Sequence, residues 1–158
     1  MDFEEESFDV VTACQCFMYL DKKIILPKIH KFLKTNGHFL ILYMACLPYE
    51  SEIAKASEDL VHKYNPSWTG GGITRYEIRE PEWLGDIFQV AHAITYDINV
   101  SFSRESWNGR MKACRGIDAS LSSEIIQQFE NEHLKILKKY PEHFDILHFV
   151  TLLDLKKV

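Results

Sequence analysis

The stretch that decides the fold is FDVVTACQCFMYLDKKIILPKIHKFLKTNGHFLILYMA, residues 8–45. Its first six residues, Phe8-Asp9-Val10-Val11-Thr12-Ala13, are apolar and β-branched, which suits a buried strand. Asp21 can cap a helix, and Pro27 is expected near that helix's first turn, where proline is tolerated. Ile25, Ile29, Phe32 and Leu33 recur at helical spacing and form one buried stripe. Lys31 and Lys34 are expected in the last turn, where cations complement the helix dipole. Asn36-Gly37 supplies a left-handed stop. The run His38-Phe39-Leu40-Ile41-Leu42-Tyr43-Met44-Ala45 is nearly all apolar, as in a strand covered on both faces. Strand, helix and strand in that order predict a βαβ unit with parallel strands and a right-handed crossover. Parallel sheets need helices on both sides, so the fold class is α/β.

Outward from that unit, residues 50–64 read as a helix. Residues 65–74 contain Gly70-Gly71-Gly72 and read as a flexible loop. Pro81-Glu82-Trp83-Leu84 opens a short helix. Residues 93–100 alternate loosely, as a strand does, and residues 104–114 read as a helix. Ser122 or Ser123 caps a longer helix whose stripe is Ile126, Phe129, His133, Ile136 and Leu137. Residues 144–155 form the last strand; a helical excursion joins the two late strands, so their direction stays open. No internal repeat, low-complexity tract or linker divides the chain, and one domain over residues 1–158 is expected.

The totals exclude several classes. The chain has 158 residues, 46% hydrophobic and 26% charged, as a globular protein does. A net charge of -5 provides no basic field for nucleic acid or anionic lipid. The longest apolar run, residues 39–47, is about half the roughly 20 residues of a membrane span. The acidic start, residues 1–6, resembles no signal or transit peptide, so a cytoplasmic setting is expected. Cys14, Cys16, Cys46 and Cys114 lack the paired spacing of a structural zinc site and read as reduced thiols. His133 lies on an apolar stripe and reads as a hydrogen-bonded core histidine. His143 and His148 give no metal spacing with it, so no metal is expected.

Several of these segments together resemble a known family, the class I S-adenosylmethionine-dependent methyltransferases, in the broad type 11-like group that acts on small molecules. Residues 8–13 resemble that family's fourth strand, and Cys14-Gln15-Cys16-Phe17-Met18-Tyr19-Leu20-Asp21 resembles the loop after it. Leu33-Lys34-Thr35-Asn36-Gly37-His38-Phe39-Leu40-Ile41 is similar to the L-K-P-G-G turn into the fifth strand. Thr35 and Asn36 replace Pro and the first Gly there, and Asn still tolerates a left-handed conformation. Residues 102–116 resemble a substrate-side helix of one subgroup, and residues 144–155 the closing antiparallel strand. The resemblance implies a partial Rossmann-like sheet made of the last strands of seven, with flanking helices.

By that resemblance the cofactor is S-adenosylmethionine, and Thr12, Ala13, Cys14 and Gln15 would line it, since ligands bind beyond the carboxyl ends of parallel strands. Tyr19, Trp107, Arg110 and Arg115 are the substrate-side candidates; an aromatic ring with two guanidinium groups suits an aromatic or anionic acceptor. The competing reading has Trp107 in the core and the arginines paired with carboxylates. Gly109, within a helix, hints at close packing. Methyl transfer to a nucleophilic acceptor depends on alignment, so no general base can be named. The family's glycine-rich loop and ribose-binding acid would lie upstream; Gly70-Gly71-Gly72 follows a helix and lacks the strand context. The expectation is therefore a truncated methyltransferase, such as one started internally at Met1, with little activity alone. It would form a homo-oligomer through the open edge of its first strand. The alternatives are a binding module, on its own or completed by a separately encoded N-terminal half, and an unrelated α/β domain.

Overall fold

Asp21 starts the first helix as its composition suggests: its carboxylate accepts the Lys23 N–H at 2.9 Å. Around it a computed structural model describes residues 3–158; Met1 and Asp2, at the head of the acidic start, lie outside the described residues. The order is β1 (Phe8–Cys14), α1 (Lys22–Phe32), β2 (Leu33–Cys46), α2 (Glu52–Tyr64), β3 (Phe88–Ser103), α3 (Arg104–Lys112), α4 (Ser123–Leu137) and β4 (His143–Lys157). Short 3-10 turns cover Phe17–Tyr19, Pro48–Glu50 and Glu82–Leu84.

One four-stranded sheet has the order β1-β2-β4-β3. β1 and β2 are parallel, with Ala13 opposite Ile41 and Cys14 opposite Leu42, as the βαβ reading requires. The last strand inserts between β2 and β3 and runs antiparallel to both. Against β2, Asp154 meets His38 while Lys157 reaches back to the Leu33 carbonyl. Against β3, Ser101 bonds Asp145 and the Arg104 N–H bonds the Glu142 carbonyl. The direction that the sequence left open is thereby fixed.

Three local expectations need correction. Pro27 lies five residues into α1 rather than near its first turn, because the helix begins directly after the Asp21 cap. It is tolerated on an exposed face, at the loss of one helical hydrogen bond. Lys34 is not in the last turn, since α1 ends at Phe32; it lies in β2 and pairs with Asp9 of β1 at 2.9 Å. Gly109 is exposed, and an added Cβ would meet nothing within 4 Å, so close packing does not explain it.

The chain divides into two compact units. The first comprises residues 1–44, 76–96 and 150–158. Its core joins Leu26 and Ile29 of α1 to Ala13, Phe17, Leu33, Phe39, Phe88 and Leu155. Leu26 was missed in the predicted stripe, while Ile25 and Phe32 are half-buried at its margin. β2 is less covered than its apolar run suggests: Phe39 is fully buried but residues 40–44 are half-exposed. The second unit comprises residues 45–75 and 97–149. There α2, α3 and α4 close over Cys46, Trp107, Met111, Phe129, Leu137 and Ile146.

Candidate functional site

In the first unit, the carboxyl end of β1 is built by one glutamine. Gln15 takes a left-handed backbone, φ 58°, and its N–H still bonds the Leu42 carbonyl at 2.9 Å. Its side-chain amide then imitates one more strand residue. Nε2 donates to the Met44 carbonyl, and Oε1 accepts the Met44 N–H at 3.2 Å. Gln15 therefore fixes where the loop leaves the sheet. Thr12 and Cys14 alternate outward from β1 and are exposed, whereas Ala13 points into the core. Of the four candidate cofactor residues, Thr12, Cys14 and the turn at Gln15 present polar or open positions at the strand end. Ala13 contributes backbone and packing only.

Beside this end lies a cavity of about 300 Å³. Cys16, Phe17 and Met18 come from the loop after β1, Ile41 to Tyr43 from β2, and Thr151 and Leu153 from β4. Tyr76, Ile78 and Trp83 arrive from the irregular segment before β3. Its wall is largely apolar, and Phe17 and Trp83 pack with ring centroids 5.1 Å apart. Lys22 is the one charged residue on the lining, with its ammonium 5.6 Å from the Phe17 ring centre. The size and lining suit one small organic molecule. Tyr19, named from the sequence, stands next to this loop, 59% exposed.

The other substrate-side candidates belong to the second unit. Trp107 is fully buried, and its indole N–H donates to Ser57 Oγ at 2.9 Å. It is a core residue there, because its one polar atom is already satisfied inside the protein. Arg110 is half-buried and lies over the Trp107 ring, 5.2 Å from its centre, while Arg115 is exposed. The competing reading thus describes Trp107; Arg110 is held by that same ring rather than by a carboxylate.

His133 is a core histidine, as its stripe implies. Its Nδ1–H donates to Asn108 Oδ1 and its Nε2 meets Ser57 Oγ, both at 2.9 Å. Burial without a counter-charge pushes its pKa down to about 4. Cys46 bonds Glu58 Oε1 at 3.6 Å, and burial, then the Glu58 charge, push its thiol up to about 11. Glu58 also accepts the Gly72 N–H at 2.7 Å, so the end of the glycine cluster is held by a buried carboxylate. Among the described residues no three His, Cys, Asp or Glu side chains gather to hold a metal ion. Among the same residues no helix is long and apolar enough to cross a membrane.

Sequence reasoning missed Phe17, Lys22, Tyr43, Tyr76 and Trp83, the ring-lined part of the cavity. Tyr76, Ile78 and Trp83, spaced among four charged residues, gave no local signal of it.

Residues 1–41 match a family described as a methyltransferase domain. No curated protein matches the chain. Among solved structures, a protein from Anaeromyxobacter dehalogenans, provisionally described as a type II methyltransferase, is similar over 98% of this chain. Its identity is 13%, its TM-score 0.56, and 66% of its own length is covered. The MccD protein is similar at 16% identity, TM-score 0.45, over 100% of this chain and 64% of its own. The geranyl diphosphate C-methyltransferase of Streptomyces coelicolor, solved with S-adenosyl-L-homocysteine, is similar at 14% identity, TM-score 0.41, over 100% of this chain and 50% of its own. The chain thus spans between half and two thirds of the length of these three proteins.

Proposed function

Starting from a chain that carries the class I methyltransferase fold and whose first 41 residues match the methyltransferase domain, we propose that it is part of an S-adenosylmethionine-dependent methyltransferase acting on a small molecule. The observation that carries this reading is the placement of the cavity. It opens beside the carboxyl end of β1, next to the Thr12–Gln15 strand end that the resemblance assigns to the cofactor. A methyl donor lying along that strand end would face an acceptor seated in the cavity. Bringing the two into line is the main contribution a protein makes to methyl transfer, and it needs no dedicated base. Thr12, Cys14 and the Gln15 turn would hold the donor, and the aromatic wall would hold the acceptor.

A second reading keeps the cavity and drops the chemistry: a binding module, or one completed by a separate chain. The edge position of β1 favours it, because a strand with one free side can accept another. Calorimetric titration with S-adenosylhomocysteine, with the Gln15→Gly variant as control, separates the two. Saturable binding at micromolar ligand, weakened in the variant, is expected for the first. Absence of heat at millimolar ligand would leave the binding-module reading.

A further inference from the structure

We propose that the 300 Å³ cavity of the first unit takes a small aromatic acid, with its ring against Phe17 and Trp83 and its anionic group at Lys22. This names the substrate class of the acceptor site, and it rests on the reading that the cavity is that site.

Three observations carry it. First, the volume lies at the low end of small-molecule sites, so it suits one compact ligand rather than a peptide or a long chain. Second, four aromatic rings, those of Phe17, Tyr43, Tyr76 and Trp83, reach the lining from four separated positions. Such walls hold a flat ring by offset and edge contacts. Third, among the described residues the lining contains no carboxylate, and its one cation, Lys22, has no acidic partner. Three lysines of the first unit are paired with a carboxylate, Lys31 with Glu5, Lys34 with Asp9 and Lys157 with Glu6, whereas Lys22, like Lys23, Lys28 and Lys156, is not, and of these four only Lys22 reaches the cavity. The Lys22 ammonium lies over the Phe17 ring instead. A cation next to an apolar wall, with no internal counter-charge, selects an anion attached to an apolar body. Lys22 is also the first residue of α1, where the helix N-terminus adds positive potential. The Thr151 hydroxyl and the Tyr43 and Tyr76 phenols supply the few polar groups that would orient such a ligand.

The test is binding of 4-fluorocinnamate to the purified chain, followed by fluorine NMR, beside its neutral amide, 4-fluorocinnamamide. The acid is expected to bind about fivefold tighter than the amide, the factor that one partly exposed ion pair supplies. Lys22→Met, which keeps helix propensity and sits on a half-exposed first turn, is expected to abolish that preference and leave the amide unaffected. Trp83→Leu is expected to weaken both ligands alike, with a thermal melt confirming that it folds. Failure of both ligands to bind, equal binding of acid and amide, or an acid preference that survives Lys22→Met would each overturn the proposal. None of these results depends on the methyl donor. Binding of S-adenosylhomocysteine without the acid preference would overturn the acceptor class and leave methyl transfer standing. The acid preference without donor binding would do the reverse.

Discussion

Single side chains in the second unit make the sharpest statements about pH. His133 is buried, and its folded pKa of about 4 lies below its ordinary value of 6.5. The neutral ring is therefore the form that folding favours. Between pH 6.5 and 4 the unfolded chain binds a proton that the folded chain refuses, so stability falls as pH drops through that window. The loss approaches about 3 kcal/mol at the bottom, at roughly 1.4 kcal/mol per unit. Urea unfolding at pH 7 and pH 4.5 measures it, and His133→Gln should flatten the dependence. A dependence unchanged in the variant would show that other groups carry it. Ser57 is central to the same network: its hydroxyl meets the Trp107 indole, the His133 ring and the Ile53 carbonyl. Ser57→Ala would strand the Trp107 donor and is expected to cost about 1–3 kcal/mol in urea unfolding. The thiols sort by environment. Cys14 and Cys16 are exposed, while Cys46 is buried with its pKa near 11 and stays protonated at pH 8. Iodoacetamide followed by mass mapping should label Cys14 and Cys16 in the folded protein, and Cys46 only after denaturant. Early labelling of Cys46 would contradict its burial.

At the scale of elements, the first residues of β2 show how a departure from a familiar pattern is accommodated. Asn36 adopts φ 62°, the left-handed conformation that asparagine tolerates. Gly37 is required for space instead. A Cβ there would stand 2.9 Å from the Lys34 carbonyl and 3.2 Å from the Asp9 carbonyl, both fixed backbone. Asn36→Gly should be close to neutral, whereas Asn36→Val should cost about 1–2 kcal/mol, and Gly37→Ala about 1–3 kcal/mol by overpacking. Denaturant midpoints of the three variants check the ranking; a harmless Gly37→Ala would mean that β1 and the start of β2 can move apart. The βαβ unit was legible in the sequence because its cues are local, a β-branched run, a capping aspartate and a helical stripe; Asn36-Gly37, read as the helix stop, instead lies inside β2, four residues past the end of α1 at Phe32. The start of β3 at Phe88 was not legible, since residues 88–92 lack clear alternation and their pairing is set by distant β4, through Asp154 and His92. The sequence pointed to the end of β1 and not to the cavity beside it. The cavity's rings lie at positions 17, 43, 76 and 83, and no periodicity links residues so far apart. Trp107 misled for a related reason. A tryptophan beside two arginines looks the same in sequence whether its N–H faces a ligand or Ser57.

At the scale of the whole molecule, the sheet order places β1 at one end, paired with β2 alone. Its outer side carries a row of backbone donors and acceptors, and Val10 along it is 48% exposed. Apolar edges of this kind pair with further strands unless charge or proline blunts them. The edge has neither at its centre, where Val10, Val11 and Thr12 follow one another; Asp9, the nearest charge, is bound to Lys34. Association of the chain with a second copy through β1 is therefore the expected outcome. Sedimentation velocity over a wide concentration range should show a dimer that dissociates on dilution. Val10→Lys, which places a charge on the edge without touching the core, should shift the equilibrium to the monomer. The same substitution tells whether a donor site depends on the pairing. A donor site completed by pairing would lose S-adenosylhomocysteine binding together with the dimer, whereas a site held within one copy would keep it. A monomer at every concentration would remove the second copy from the account and leave the β1 edge to a strand of another chain.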